Sequence, residues 1–230
     1  MKSPWLMIEW APIILTFQLA GITTLILILI SVPLAAWLAH TRSPVRPVVE
    51  TLVAMPLVLP PTVLGFYLLL AFSPNSVIGQ FLEQSVGLRF AFSFGGLIVA
   101  SCIYSLPFMI HPIQSGLSGL SPSLKEAAYV MGKSRTETLL KVLLPNIRPA
   151  LITGIVLSFA HTIGEFGVVL MIGGNIPGET RVASIAIYDE VESLNYAAAH
   201  VYSIILFVIS FAILLWVYLY NGGYLKKMAR

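Results

Sequence analysis

The chain has 230 residues, of which 57% are hydrophobic and only 10% are charged, with a formal net charge of +3. A soluble globular domain usually carries roughly a quarter of its residues as charged side chains, so this composition excludes that class. It predicts an all-α, polytopic membrane protein built as a single transmembrane domain over residues 1–230. The single cysteine, Cys102, excludes an intramolecular disulfide and a cysteine-rich metal site, and it is interpreted as a packing residue.

Five stretches reach the length of about 20 mainly apolar residues that a membrane-spanning helix needs. The second stretch contains Pro56, Pro60 and Pro61, which are expected to kink or break its helix. The first apolar stretch is too long for the core of a cleavable signal peptide, so it is expected to remain as a span. The five predicted spans cover residues 13–39, 48–72, 92–113, 147–172 and 200–220.

Lysine and arginine set the predicted orientation, because positively charged loops stay on the cytoplasmic side. With the N-terminus outside, ten of the 13 basic residues are cytoplasmic: Arg42, Arg46, Lys125, Lys133, Arg135, Lys141, Arg148, Lys226, Lys227 and Arg230. The external ones are Lys2, Arg89 and Arg181. The last external loop is acidic, with Glu179, Asp189, Glu190 and Glu192. The pattern predicts an external N-terminus and a cytoplasmic C-terminus.

The cytoplasmic loop of residues 114–146 is far longer than a connection between helices requires. Ser123 and Glu126 have capping-box spacing, and Pro122 offers a second possible helix start. Gly132 is suited to end this first helix in the left-handed conformation. The helix has a predicted apolar face of Leu124, Ala127, Ala128 and Met131.

A second short helix is predicted after the glycine. Ser134 and Glu137 repeat the capping-box spacing, and Pro145 is expected to prevent smooth continuation of this helix into the fourth span. Two interpretations fit a short amphipathic helix on this side: it lies on the lipid headgroups, or it enters a groove on a partner protein.

The order of residues in this loop favours the partner. Glu126-Ala127-Ala128, the glycine three residues later, and the Leu144-Pro145 ending closely resemble the EAA loop of ABC importer permeases. The resemblance implies that Glu126, Ala127, Ala128, Gly132, Leu144 and Pro145 couple the chain to a separate ATP-binding subunit. Gly132-Lys133-Ser134 ends like a Walker A loop, but Ala127 replaces its first glycine. The chain is therefore expected to hydrolyse no ATP and to be no enzyme.

The fourth predicted span carries a polar stripe. Glu165 is the only carboxylate deep in a predicted span, and on a helical wheel it shares one arc with Gly154, Ser158, His161 and Thr162. His161 and Glu165 are one turn apart and could pair. One interpretation is that Ser158, His161, Thr162 and Glu165, with Thr62 of the second span, line the translocation path or its gate. The other is helix packing through small residues, with the carboxyl hydrogen-bonded or protonated.

Further stretches resemble the molybdate branch of the oxyanion permeases: residues 56–63, Ser105 to Phe108, Gly164 to Gly167, and residues 173–180. The Gly-Glu-Phe-Gly segment is shared with sulfate permeases. The resemblance implies a type I ABC importer permease in the bacterial cytoplasmic (inner) membrane. It implies a homodimer, two ATP-binding cassette subunits and an external oxyanion-binding protein that docks on the acidic loop. Molybdate is the expected solute, with tungstate and sulfate or thiosulfate as alternatives, and no cofactor or nucleic acid is expected.

Other functional classes fit less well. A channel or secondary transporter predicts inverted repeats, which the sequence does not show, and leaves the long capped loop unexplained. A membrane-embedded enzyme needs a convergent catalytic set, for which only His161 and Glu165 offer a start. The four histidines have no metal-ligand spacing. His111 and Glu50 are interpreted as interface residues.

Overall fold

The computed structural model describes residues 8–87 and 89–221, and every regular element in these ranges is a helix. Predicted loop charges at Lys2, Lys226, Lys227 and Arg230 lie outside the described residues. The helices are α1 (Ala11–His40), α2 (Arg46–Val58), α3 (Pro61–Phe72), α4 (Val77–Val86), α5 (Phe94–Ser118), α6 (Pro122–Val130), α7 (Arg135–Thr138), α8 (Leu144–Asn146), α9 (Arg148–Ile163), α10 (Gly167–Gly173), α11 (Ala183–Glu192) and α12 (Tyr196–Asn221). A π-helical turn (Leu139–Leu143) joins α7 to α8.

Three of these helices, α1, α5 and α12, are long and apolar enough to cross a membrane as single helices. Two further candidates are pairs of helices bent by more than 40° at a short break: α2 with α3, and the segment Arg135–Asn146 with α9. The total reaches five, the predicted number, when each pair counts as one span. The second pair includes residues that the sequence placed in the loop before the fourth span, so the number agrees while the position of that span differs.

The second span is broken, as its prolines predict. Helices α2 and α3 meet at 115°. Leu59 is extended, with φ −71° and ψ 136°, because the residue before a proline is disfavoured in the helical region. Pro61 lies in the first turn of α3, where its missing N–H costs no helical hydrogen bond. Pro56 lies inside α2 and does not end it, so the break belongs to Pro60 and Pro61.

The fourth span is also broken, and the prediction of one continuous helix over residues 147–172 is wrong. Helix α9 ends at Ile163, and Gly164 to Phe166 connect it to α10. Glu165 therefore lies in the break and not on a helix face with Ser158. Gly164 and Gly167 are the residues in the sequence that indicate this break, because glycines on both sides of a short segment destabilise a continuous helix.

The two broken spans pack against each other. A Cβ atom added at Gly167 would lie 2.7 Å from the Cβ of Pro61, and one added at Gly65 would lie 2.7 Å from the Cβ of Met171. Both distances are shorter than any normal carbon contact, so the glycines allow the backbones of α3 and α10 to approach closely. The break in the second span thus contacts the start of α10.

Buried apolar side chains form three clusters along the bundle. One joins the C-terminal half of α1 to α5, α9 and the loop of residues 114–146, which we name the coupling loop, through Leu38, Ile113 and Leu143 among others. A second joins α1, α5 and α10 in the external half through Leu19 and Leu97. A third packs the start of α1 on α11 and α12. The first cluster fixes the coupling loop to the spans.

Two external helices, α4 and α11, were not predicted. Helix α4 has clear sequence signals: the Ser76 hydroxyl accepts a hydrogen bond from the Gly79 N–H at 2.8 Å, and Gly87 ends the helix with φ 68°. The helix is short and lies in a loop between spans, where a search for apolar stretches of spanning length does not look.

Candidate functional site

The first helix of the coupling loop, α6, begins at Pro122, with Ser121 as its N-cap residue. The predicted capping box between Ser123 and Glu126 is therefore wrong. The Ser123 hydroxyl instead contacts the Ser121 hydroxyl at 2.7 Å. The physical reason is that proline already has the φ of a first helical residue and starts the helix without a side-chain cap.

Gly132 ends the first helix as predicted. Its φ of 76° lies in the left-handed region, which glycine adopts without the steric cost that a Cβ brings. The Gly132 N–H donates to the Tyr129 carbonyl at 2.9 Å, and the Lys133 N–H donates to the Ala128 carbonyl at 3.1 Å. The turn therefore closes the helix and redirects the chain into α7.

The second capping box is confirmed. The Ser134 hydroxyl accepts from the Glu137 N–H at 3.2 Å, and the Glu137 carboxylate accepts from the Ser134 N–H at 3.4 Å. The Lys141 ammonium donates to the same carboxylate at 2.8 Å. The hydrogen bond from Lys141, followed by that from the Ser134 backbone, holds the pKa of the Glu137 carboxyl below its ordinary value.

The second helix does not continue smoothly into the fourth span, as predicted. It passes through the π turn and α8, which contains Pro145, and the chain bends by 85° at Ile147. Proline has no N–H for the carbonyl one turn earlier, and a wider π turn accommodates such a gap without ending the helix. Leu144 and Pro145 lie in α8, where the coupling loop joins α9. Leu144 is half-buried and Pro145 is exposed.

The exposed side of α6 carries the charged Glu126 together with apolar side chains. Ala128 is fully buried and Leu124 is half-buried against the bundle. Glu126 and Ala127 are exposed, and at the tip Val130 is 88% and Met131 68% exposed. The predicted apolar face is thus correct for Leu124 and Ala128, whereas Ala127 and Met131 lie on the outer side.

Replacing Gly132 with Ala is expected to weaken the coupling loop. A left-handed conformation costs a residue with a Cβ about 1–2 kcal/mol. Gly119 is the matched control, since it ends α5 with φ −79° and should tolerate Ala. ATP hydrolysis stimulated by the membrane chain should fall for Gly132→Ala only. Equal activities of the two variants would contradict the assigned role of the turn.

The polar stripe of the fourth span lies mostly inside the bundle. Ser158 and Thr162 are buried, and His161 is half-buried. The His161 Nδ1 lies 3.0 Å from the Ser105 hydroxyl, and its ring stacks on Phe108 with centroids 4.0 Å apart. The predicted pairing of His161 with Glu165 is therefore wrong, because the break after Ile163 removes the helical spacing that it required.

Glu165 is 4% exposed. The Ser101 hydroxyl lies close to its carboxyl, yet neither carboxyl oxygen has a hydrogen-bond partner among the residues that the structure describes. The Glu165 backbone carbonyl accepts from the Ser184 hydroxyl at 2.6 Å. Thr62 is exposed at the start of α3, and its backbone nitrogen would lie 3.5 Å from a Cβ added at Gly167. Thr62 is therefore close in space to the segment that holds Glu165.

The segment after α10 folds into a tight external loop. The buried Thr180 hydroxyl donates to the Gly173 carbonyl at 2.7 Å and accepts from the Ile176 N–H at 3.0 Å. The Asn175 amide donates to both carboxylate oxygens of Asp189 at 2.7 and 2.6 Å. Arg181 lies 3.3 Å from the same carboxylate. Asp189 therefore stabilises this loop, although the sequence alone suggested a docking role for it.

The helical bundle, the paired broken spans and the coupling loop define a membrane subunit of an ABC importer. Residues 31–224 match the family model described as binding-protein-dependent transport system inner membrane component, and the chain belongs to this family. It is an inner-membrane, multi-pass protein. ATP is hydrolysed by a separate subunit, and a binding protein delivers the solute.

Individual relatives are similar over most of the chain. The molybdenum transport system permease protein ModB of Azotobacter vinelandii is 48% identical, covering 84% of this chain and 85% of that protein. The putative molybdenum transport system permease protein YvgM of Bacillus subtilis is 34% identical, covering 90% and 92%. The sulfate transport system permease protein CysT of Salmonella typhimurium is 39% identical, covering 72% and 60%.

Solved importers share the fold. A bacterial ABC transporter that imports alginate has a TM-score of 0.76 at 20% identity, covering 96% of this chain and 80% of that one. The inward-facing methionine transporter MetNI has a TM-score of 0.73 at 17% identity, covering 97% and 99%. The predicted type I importer permease fold is confirmed.

Proposed function

We propose that the chain forms the transmembrane pathway of a molybdate importer. One observation carries the choice of solute: relatives named as molybdenum transport permeases match nearly the whole chain, at up to 48% identity. Tungstate has the same tetrahedral shape and charge as molybdate and is expected to follow the same path. Sulfate is the second candidate, favoured by the likeness to the sulfate permease CysT.

Reconstitution tests the solute. The chain is placed in proteoliposomes with its ATPase subunit and binding protein, and uptake is measured with labelled molybdate and labelled sulfate separately. We expect uptake of labelled molybdate. Unlabelled tungstate should inhibit this uptake by competition, and excess sulfate should not change it. Preferential uptake of sulfate would replace molybdate with the second candidate while leaving the importer class intact.

The chain is proposed to act as a homodimer, with the face formed by α2, α3 and α5 turned toward the second copy. This face exposes polar side chains within apolar spans, including Thr51, Thr62, His111 and Ser115. Polar groups at such positions usually face protein or water because lipid cannot satisfy their hydrogen bonds. Glu50 on the same face accepts from Arg46 at 2.9 Å and from Gln114 at 2.7 Å.

Cross-linking tests this arrangement. Cys102 is the only cysteine, so a Cys102→Ser background allows one new cysteine at a time. Thr51→Cys should form a dimer across the proposed face. Leu214→Cys on α12, which is 36% exposed, is the control and should remain monomeric. Cross-linking through Leu214→Cys alone would place the interface on another face.

The two touching breaks are proposed to form the gate of the path. The support is geometric: the break at Pro60 and Pro61 contacts the start of α10, Thr62 is exposed beside it, and Glu165 occupies the neighbouring break. Non-helical backbone at membrane depth is tolerated where it is buried in protein or lines a cavity. His161 and Thr162 link this region to α5 through Ser105 and Phe108, and the Ser158 carbonyl accepts from the Thr162 hydroxyl at 2.9 Å. These three residues are proposed as the rigid side of the gate.

Replacing Glu165 with Gln is expected to slow transport by about tenfold, which corresponds to an activation barrier higher by about 1.4 kcal/mol. Gln keeps the size of the side chain but cannot ionise. Glu83→Gln, in an external pair with Arg89 at 2.6 Å, is the control. Uptake rates are compared at equal amounts of assembled complex. Unchanged uptake by Glu165→Gln would leave helix packing as the role of this side chain.

A further inference from the structure

A basic cavity lies between the cytoplasmic end of α1 and the coupling loop. Its volume is about 490 Å³, and its side chains include Trp37, His40, Lys125, Tyr129, Arg135 and Thr138. They come from α1, α6 and α7, elements that are separate in sequence. The cavity therefore exists only because the coupling loop folds back toward α1.

The charges in this cavity favour an anion. Lys125 and Arg135 form no ion pair among the described residues, and no carboxylate lines the cavity. The two nearby carboxylates lie elsewhere: Glu137 pairs with Lys141 at 2.8 Å, and Glu126 lines the adjoining cavity. Two basic side chains without carboxylate partners thus converge from different helices, with the imidazole of His40 beside them.

Thr138 belongs to the wall of this cavity and adds no hydrogen-bonding group to it. The residue is 1% exposed, and its Oγ1 is buried without a hydrogen-bond partner in the part of the chain that the structure describes. The basic side chains are therefore the groups that can contact an anion in the cavity.

An apolar groove continues from the basic cavity along α1. It has a volume of about 500 Å³ and shares Arg135 and Leu139 with the cavity. Its other walls are Ile28, Leu29, Val32, Pro33, Leu140 and Leu144, with Thr136 at its edge. Leu29 is 76% exposed and Leu140 is 54% exposed. A basic end joined to an apolar channel matches a molecule with an anionic head and a hydrocarbon tail.

We propose that this paired site binds an anionic phospholipid of the inner leaflet. The phosphate group occupies the basic cavity near Lys125 and Arg135, and one acyl chain lies in the groove along α1. Basic pockets on the cytoplasmic side of membrane proteins bind anionic headgroups, and Trp and Tyr side chains favour this depth of the bilayer. The ligand contacts both helices of the coupling loop and so fixes their height above the membrane.

Lipid retention tests the proposal. The purified chain is equilibrated in detergent micelles with equal amounts of phosphatidylglycerol and phosphatidylcholine, and bound lipid is counted by native mass spectrometry. The native chain should retain phosphatidylglycerol preferentially. In Arg135→Gln the ratio of bound phosphatidylglycerol to bound phosphatidylcholine should fall about fivefold, because one basic residue near an anionic surface typically contributes about 1 kcal/mol. Arg42→Gln, an exposed basic residue just after α1, should lose none. Equal behaviour of the two variants would overturn the site.

A second variant separates a lipid from a free oxyanion. Leu140→Trp fills the apolar groove and should reduce phosphatidylglycerol retention, whereas added inorganic phosphate should displace no lipid. If inorganic phosphate displaces the lipid and Leu140→Trp retains it, the cavity takes a free oxyanion and the lipid proposal fails. The readout is independent of the transported solute, so failure here leaves the proposed molybdate function untouched.

Discussion

Replacing Val130 with Asp is expected to weaken binding of the ATPase subunit strongly while leaving the membrane chain folded. Val130 is 88% exposed at the tip of α6, so the substitution removes no contact within the chain. Burial of a valine-sized side chain at an interface contributes about 1.5–3 kcal/mol. An unpaired carboxylate in the same place adds a desolvation cost. The affinity should fall by about a hundredfold or more, since each 1.4 kcal/mol is tenfold.

The measurement is the ATPase subunit retained after gentle purification, together with the solute-stimulated rate of ATP hydrolysis. Val191→Asp is the matched control because Val191 is 42% exposed on α11, on the opposite side of the membrane. It should retain the ATPase subunit fully. Retention by Val130→Asp at the native level would mean that the tip of α6 does not enter the partner.

Replacing Gly65 with Val is expected to separate the two broken spans. A Cβ at this position would lie 2.7 Å from the Cβ of Met171 and 3.1 Å from the Cα of Val168. The second atom is backbone and cannot rotate away, so α3 must move from α10. Overpacking of this kind costs about 1–3 kcal/mol. Transport should be lost, and the temperature at which the detergent-solubilised chain unfolds should fall.

Gly21→Val provides the control for this substitution. Gly21 is also helical, and a Cβ there would meet no atom within 4 Å. Both variants share the change in helix propensity, so a difference between them reports the contact with α10. If Gly65→Val unfolds at the temperature of Gly21→Val and transports normally, the close packing of the breaks is not required.

The sequence predicted the features that depend on local chemistry. Pro60 and Pro61 indicated the break in the second span, because proline restricts its own backbone and that of the preceding residue. Ser134 with Glu137 indicated a capping box, and Gly132 a left-handed turn, and both are present. The two-helix form of this loop could therefore be predicted from the sequence.

The sequence did not predict features that depend on contacts between distant segments. Residues 147–172 form one apolar stretch, so their hydropathy does not reveal the break around Glu165. The packing of α10 on α3, with Gly167 against Pro61, explains the break. His161 likewise pairs with Ser105 from another helix, and helical periodicity within one segment contains no information about that partner.

The central claim is that the coupling loop docks the membrane chain onto an ATPase subunit. The most direct test is to purify the tagged chain gently from its native membrane, beside a Glu126→Lys variant, and to identify the proteins that accompany each. Glu179→Lys, the same substitution at an exposed external position, is the control. An ATP-binding subunit is expected to accompany the native chain and the control but not Glu126→Lys. Recovery of the same subunit with all three chains, or with none, would contradict it.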